Sequence, residues 1–331
     1  MDAARYYGIG DVRYEQIEKP SCKNGEELIR VLYSGICGSD LHIYKKGMFI
    51  QNIPETMGHE FVGILEKNGQ AVIADPMVPC MNCRSCREGK YNTCENLGFI
   101  GEVQQGCYAE YIALPEKKII PLPVQGKKNA EELKKYVLAE PLAVAVNVMH
   151  RACFNSEDKL LIMGAGPIGC LVIALAKQIC GVKSITAFDL SQERLEYAKK
   201  AGADEILNDS SGLDWDYTVS VDCAGVAQTV RLAQEHLAAS GKLCIVSIFE
   251  KPAVVDCNSV VSKQLTIVGC NVYCHDDLVT ACNLIAGDKL HIEFLITHSF
   301  PLRDCKDAFK LLTSGIKTAQ KVIFNMTGNG E

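Results

Sequence analysis

Four cysteines crowd one sixteen-residue stretch, PCMNCRSCREGKYNTC (79–94), with two, two and seven residues separating Cys80, Cys83, Cys86 and Cys94. Four thiolates at that spacing complete a tetrahedral zinc shell and leave no open position for water or substrate. A zinc held there is structural. A reactive zinc needs three protein ligands and an exchangeable fourth position. Away from the cluster, Cys37 in GICGSDLH (35–42) and His59 in GHEFVG (58–63) supply a thiolate and an imidazole, each beside glycines that free the backbone to turn. Spacing alone supports this pair moderately and does not complete a site.

A third stretch carries different chemistry. GAGPIG (164–169) fits G-x-G-x-x-G, ending an expected strand and opening an expected helix. Gly164 permits the tight turn, Gly166 lets a pyrophosphate approach the backbone, and Gly169 lets helix and strand pack closely. Pro167 and Ile168 lie in the first turn of that helix, whose N-terminus faces the phosphates. Asp189 ends the next strand twenty residues after Gly169, where an acid would hydrogen-bond an adenosine ribose. A carboxylate there repels the extra phosphate of NADP, so NAD is the expected cofactor. Arg194 could touch the adenosine side, although a solvated helix face accounts for it equally well.

These residues need elements to hold them. With 331 residues, two domains are expected. Before about residue 155, short extended runs such as ELIRVLYSG and AVIADPM alternate with Gly-, Pro- and Cys-rich loops, the pattern of a mainly β domain. After it, strands KLLIMG (159–164) and SITAFD (184–189) alternate with helices over 167–180 and 191–202, the second opened by the N-cap Ser191. DYTVSVDCAG, KLCIVSIF and QLTIVG continue the strands, with a helix expected over AQTVRLAQEHLAASG (227–241). Strands alternating with helices predict an α/β fold with a doubly wound parallel sheet. The final segment reads as helix, loop and the strand KVIFNM.

Composition narrows the partners. The net charge is −6, and no run of Lys or Arg exceeds two residues, so the basic stripe of a nucleic-acid surface is missing. No apolar run approaches the roughly 20 residues that cross a bilayer, and the N-terminus lacks the basic-then-apolar pattern of a signal peptide. The expected location is the cytoplasm, whose reducing conditions suit 17 cysteines, of which the twelve outside the cluster and Cys37 lie mostly in apolar stretches.

GICGSDLH, GHEFVG, the cysteine cluster, AEPLAVAVNV (139–148), GAGPIG and LITHSFPL (295–302) occur in this order. Together they resemble the zinc-dependent medium-chain alcohol dehydrogenase family, in its polyol and sugar-acid branch of sorbitol, idonate/galactonate, threonine and butanediol dehydrogenases. Glu140 in EPLA matches the glutamate this branch places near the catalytic zinc, where ethanol dehydrogenases use cysteine. The resemblance implies a GroES-like, zinc-bearing catalytic domain over 1–145 and 276–331 and a Rossmann NAD-binding domain over 146–275. It implies two zinc ions per chain, with Cys37, His59 and Glu140 holding the catalytic one, Glu140 directly or through water. Glu60 would be an alternate ligand. Asp40 would orient the ligating imidazole, and Ser39 and His42 would relay the alcohol proton. Because residue 140 precedes Pro141, an extended backbone is expected there.

The function so implied is hydride transfer between NAD and a secondary alcohol of a polyol, sugar acid or similar small hydroxy compound. A threonine- or butanediol-type dehydrogenase is the alternative within the family, and a non-catalytic NAD- and zinc-binding protein the alternative outside it. The expected partners are a small alcohol or ketone and further copies of the chain, as a dimer or tetramer. Two departures from the family pattern stand out: a short segment over 64–79, and Cys107 where a second glycine is common.

Overall fold

The run EELIRVLYSG forms strand β1 (Glu26–Gly35), most of whose second half is buried. In the computed structural model, which describes residues 1–124, 126, 128–315 and 318–328, β1 sits within a seven-stranded sheet. Two residues beyond β1, Cys37 has extended backbone and caps helix α1 (Gly38–Lys46). Asp40 at the third helical position accepts the Cys37 N–H at 2.8 Å, satisfying a donor that the helix start would otherwise strand. Strand β2 (Glu60–Leu65) pairs antiparallel with β1, which sets Glu60 opposite Gly35.

Strand β3 (Ala71–Ala74) turns back on β2 as a hairpin, with Gly63 opposite Val72 and Leu65 N bonded to Gln70 O at 2.9 Å. The short segment 64–79 is therefore closed by backbone pairing. Tyr6, Ile43, Met57, Tyr108, Phe309 and Phe324 fill the core beneath this sheet. Tyr44 stacks near Phe309, ring centroids 4.9 Å apart, and so packs there.

Helix α2 runs Ala139–Ala152, which corrects the extended backbone expected at Glu140. A proline in the first turn costs no intrahelical hydrogen bond, because the N–H groups there have no partner within the helix. The run Lys134–Leu138 is already 3-10 helical, so the chain enters α2 without unwinding.

Next come β4 (Lys159–Met163), α3 (Pro167–Gln178), β5 (Ser184–Phe188), α4 (Gln192–Ala201), β6 (Glu205–Leu207), β7 (Tyr217–Asp222), α5 (Ala227–Glu235), β8 (Leu237–Ile245) and β9 (Thr266–Gly269). The strands form one parallel sheet in the order β6-β5-β4-β7-β8-β9. Ser191 caps α4 as expected, its side chain accepting the Arg194 N–H. The helix expected over 227–241 stops at Glu235 instead. His236 Nδ1 lies 2.6 Å from Asp214 O, and Leu237 turns into the sheet opposite Tyr217. Burial of Leu237 outweighs the helical propensity of LAAS, since tertiary packing routinely overrides propensity.

Helix α6 (His275–Ala286) follows, and β10 (Ile296–Pro301) and β11 (Lys321–Asn325) return to the first sheet, β11 antiparallel to β1. The chain divides into two compact units, one of Met1–Glu140 with Ile296–Glu331 and one of Pro141–Leu295. Helix α6, placed by sequence with the zinc-bearing part, belongs to the second unit. Among the described residues, no helix is long and apolar enough to cross a membrane.

Candidate active site

The ends of β1 and β2 build the first unit's reactive group. Cys37, His59 and Glu60 each contribute one ligand atom, all within 4.8 Å of one another. Glu60 can lie there because residue 35 is glycine: a Cβ at that position would fall 2.1 Å from Glu60 Oε2. Glu140 is buried close by but is not a member of this trio. The carboxylate that the structure brings against Cys37 and His59 is thus Glu60.

The surroundings are acidic and dry. Asp40 is fully buried, accepts hydrogen bonds from Cys37 N and from Tyr108 Oη at 2.7 Å, and has its pKa raised by burial. Its other oxygen, Oδ1, stands 4.0 Å from His59 Nδ1, and neither atom has a hydrogen-bond partner among the described residues. Burial would depress the His59 pKa, yet Cys37 and Asp40, with Glu140 behind them, raise it well above the ordinary histidine value. Thiolate, imidazole and carboxylate are the ligand types zinc takes. Donor chemistry and orphaned polar atoms together fit a zinc ion.

Lys321 is the residue that sequence reasoning missed. It is 3% exposed, and its Nζ lies 2.7 Å from both oxygens of Glu60 and 3.2 Å from Ile36 O. Burial would lower its pKa, but Glu60 and Cys37 raise it, so the ammonium stays charged. Pairing of β11 with β1 brings it there across 261 residues of sequence. Its only local signal is one lysine heading the apolar run KVIFNM.

Glu102, also unmarked by any motif, is buried with its carboxyl pushed up to about 7 by burial. Glu102 N bonds to the carbonyl of Phe99 at 3.1 Å, and the Phe99 ring centroid lies 5.6 Å from that of His59. On α1, Ser39 Oγ is buried without a partner among the described residues, and His42 lies three positions further on.

Cys80, Cys83, Cys86 and Cys94 converge as a separate group of four. Cys83 Sγ and Cys86 Sγ are 3.5 Å apart, and backbone N–H groups of Cys80 and Asn96 point at Cys94 Sγ at 3.2 and 3.3 Å. Such N–H contacts favour thiolates, and they help hold Cys94 below the usual thiol pKa.

In the second unit, the turn after β4 brings Gly164, Gly166 and Gly169 to the head of α3. A Cβ at Gly169 would lie 1.9 Å from Gly164 O, whereas one at Gly166 would meet open space. The first contact shows why helix and strand need a glycine, and the second leaves a phosphate free to approach. Asp189 accepts the N–H of Ala165 and of Ser191, each at 2.9 Å, so its carboxylate is anchored to the glycine turn. Arg194 folds back to 4.0 Å from Asp189.

Two family models match the chain: an alcohol dehydrogenase GroES-like domain over residues 23–124 and a zinc-binding dehydrogenase domain over 167–287. The chain is 31% identical to an L-idonate 5-dehydrogenase of Vitis vinifera, covering 98% of this chain and 94% of that one. It is equally 31% identical to a sorbitol dehydrogenase of Arabidopsis thaliana, covering 98% and 95%. Among solved structures, an alcohol dehydrogenase of Escherichia coli CFT073 complexed with NADH superposes with a TM-score of 0.89 at 27% identity, covering 98% of this chain and 99% of that one.

Proposed function

Because the chain belongs to the zinc-dependent medium-chain alcohol dehydrogenase family, we propose that it oxidises a secondary alcohol of a polyol, sugar acid or similar small hydroxy compound with NAD. The reverse reaction reduces the corresponding ketone. The observation that carries this reading is the trio of half-buried Cys37 with buried His59 and Glu60.

Cys37, His59 and a carboxylate from Glu60 or Glu140 would hold the catalytic zinc. When bound, zinc supplies Lewis acidity toward the substrate oxygen and NAD accepts the hydride. Asp40, fixed by Tyr108 and by the start of α1, faces His59 Nδ1 and sets which ring nitrogen is free to ligate. Ser39 Oγ receives the hydroxyl proton of the alcohol, and His42, one turn along the same helix, passes it to solvent. Lys321 balances the charge of Glu60. Cys80, Cys83, Cys86 and Cys94 hold a second zinc that braces their loop and takes no part in the reaction.

Gly164, Gly166, Pro167, Ile168 and Gly169 receive the pyrophosphate at the head of α3, and Asp189 accepts from the adenosine ribose. Asp189→Ala should remove a charge-assisted hydrogen bond of about 1.5–3 kcal/mol and raise KM for NAD roughly 10- to 100-fold. The same change frees Arg194 to meet a 2′-phosphate, so the ratio of kcat/KM for NADP to that for NAD should rise. Unchanged kinetics with both cofactors would refute the assignment of Asp189.

The direct test is NADH formation measured across polyols, sugar acids, diols and threonine, alongside zinc content. Two zinc ions per chain and turnover of a polyol or sugar acid are expected. Two zinc ions with no NADH from any compound would favour a non-catalytic NAD- and zinc-binding protein. Among the described residues no cysteine forms a disulfide, as the reducing conditions of a cytoplasmic location require. By family likeness, we expect a homo-oligomer, which light scattering would detect.

A further inference from the structure

We propose that Asp222 is a positioning residue for the dinucleotide, latching the carboxyl ends of β7 and β8 and the start of α5 into one wall of the cofactor crevice. Bound dinucleotides lie outside the carboxyl ends of the strands, where the strand order reverses. In this sheet the reversal is between β4 and β7. Asp222 is the last residue of β7 and is fully buried. Its Oδ1 accepts from Thr229 Oγ1 of α5 at 2.5 Å, and its Oδ2 accepts from Gly225 N at 3.2 Å and from Ser247 Oγ, just past β8. No cation pairs with it among the described residues, so two hydroxyls and one amide satisfy its buried oxygens.

The latched segments reach the glycine turn itself. Cys223 N bonds to Met163 O at 2.8 Å, and a Cβ at Gly164 would stand 3.1 Å from Ala224 Cβ. Gly225, at φ +72°, is seated so close to the next loop that a Cβ would lie 2.6 Å from Ile248 O. The path from Gly164 through Ala224 and Gly225 to Ile248 is thus continuous, and the Asp222 side chain ties it both to the start of α5 and to Ser247 past β8. Val226 and Ile248, on the latched loops, remain about half exposed at 51% and 49%. A carboxylate that only filled the core would be replaceable by an apolar residue of similar shape; one that sets loop direction is not.

The proposal rests on the NAD reading, and its test separates the two. NADH affinity would be titrated by fluorescence on the zinc-loaded full chain for the wild type, Asp222→Asn, Ser247→Ala and Thr229→Val, with zinc content and melting temperature recorded. Asp222→Asn replaces one accepting oxygen by an NH2 group, so at least one of the three bonds must be lost or reversed; its Kd for NADH should rise roughly tenfold, and Ser247→Ala should show a smaller rise in the same direction. Zinc content and KM for the alcohol should stay at wild-type values. Wild-type Kd in Ser247→Ala and Thr229→Val, with only melting temperature lowered in Asp222→Asn, would overturn the proposal and leave Asp222 a core residue. Failure of the wild type to bind NADH would instead sink the cofactor reading.

Discussion

Cys37→Ser should yield a folded chain that binds NADH yet forms none from any alcohol, while Cys86→Ser should lose solubility and melt about 10 °C or more below the wild type. The contrast follows from what each thiolate holds. Cys37 sits at the start of α1 in the trio with His59 and Glu60, inside a unit whose core of Tyr6, Met57, Tyr108 and Phe324 does not depend on it. Serine keeps the helix cap and removes a strong zinc ligand. The Lewis acid contributes several kcal/mol to the transition state, so kcat/KM should fall by on the order of 1,000-fold or more at about 1.4 kcal/mol per decade.

The four-cysteine loop has a much smaller core. Among the described residues, Tyr91, Leu97 and the cysteines themselves make up its cluster, and its helix spans the four residues Arg84–Arg87. Metal binding in such loops is folding energy, about 10–16 kcal/mol in zinc-finger peptides. Zinc analysis should therefore find one ion lost from each variant, with opposite consequences for melting and for turnover. Equal loss of folding in both would end the division between a working and a bracing zinc.

Lys321→Met should cost about 3–5 kcal/mol of stability, the usual consequence of removing one partner from a buried ion pair. Both oxygens of Glu60 are 2.7 Å from Lys321 Nζ, and the two side chains are 1% and 3% exposed. Without the ammonium, the buried Glu60 carboxylate would lose its counter-charge and the bond that fixes it beside Cys37 and His59. Turnover should therefore fall even in zinc-loaded enzyme, and KM for the alcohol should rise, while NADH affinity should be unchanged because the cofactor residues lie on other elements. Lys321→Arg retains the charge and should recover most of the stability. Wild-type stability and turnover in Lys321→Met would show that Glu60 needs no counter-charge.

Local chemistry made much of this protein legible in its sequence. The spacing of the four cysteines, the glycines of GAGPIG and the acid at 189 encode geometry over a few residues, where backbone freedom and ligand reach decide the outcome. The alternation of strands and helices after residue 155 likewise announces a parallel sheet, because period and length differ between the two element types. Cys37 and His59 were visible as zinc-ligand types, but only the resemblance joined them to Glu140. The misreadings share one cause. Glu140 was expected to be extended from the proline beside it, yet it lies in a helix already under way. The helix expected to 241 ends at 235 because Leu237 is drawn into the sheet. Glu60, ahead of Glu140 in the trio, and Lys321, bonded to it from 261 residues away, depend on the register of β1 with β2 and β11. Register is set by the burial of whole strand faces, so the sequence by itself determined which chemistries this chain carries, and only the tertiary structure decided that Glu60 stands beside Cys37 and His59 with Lys321 as its counter-charge.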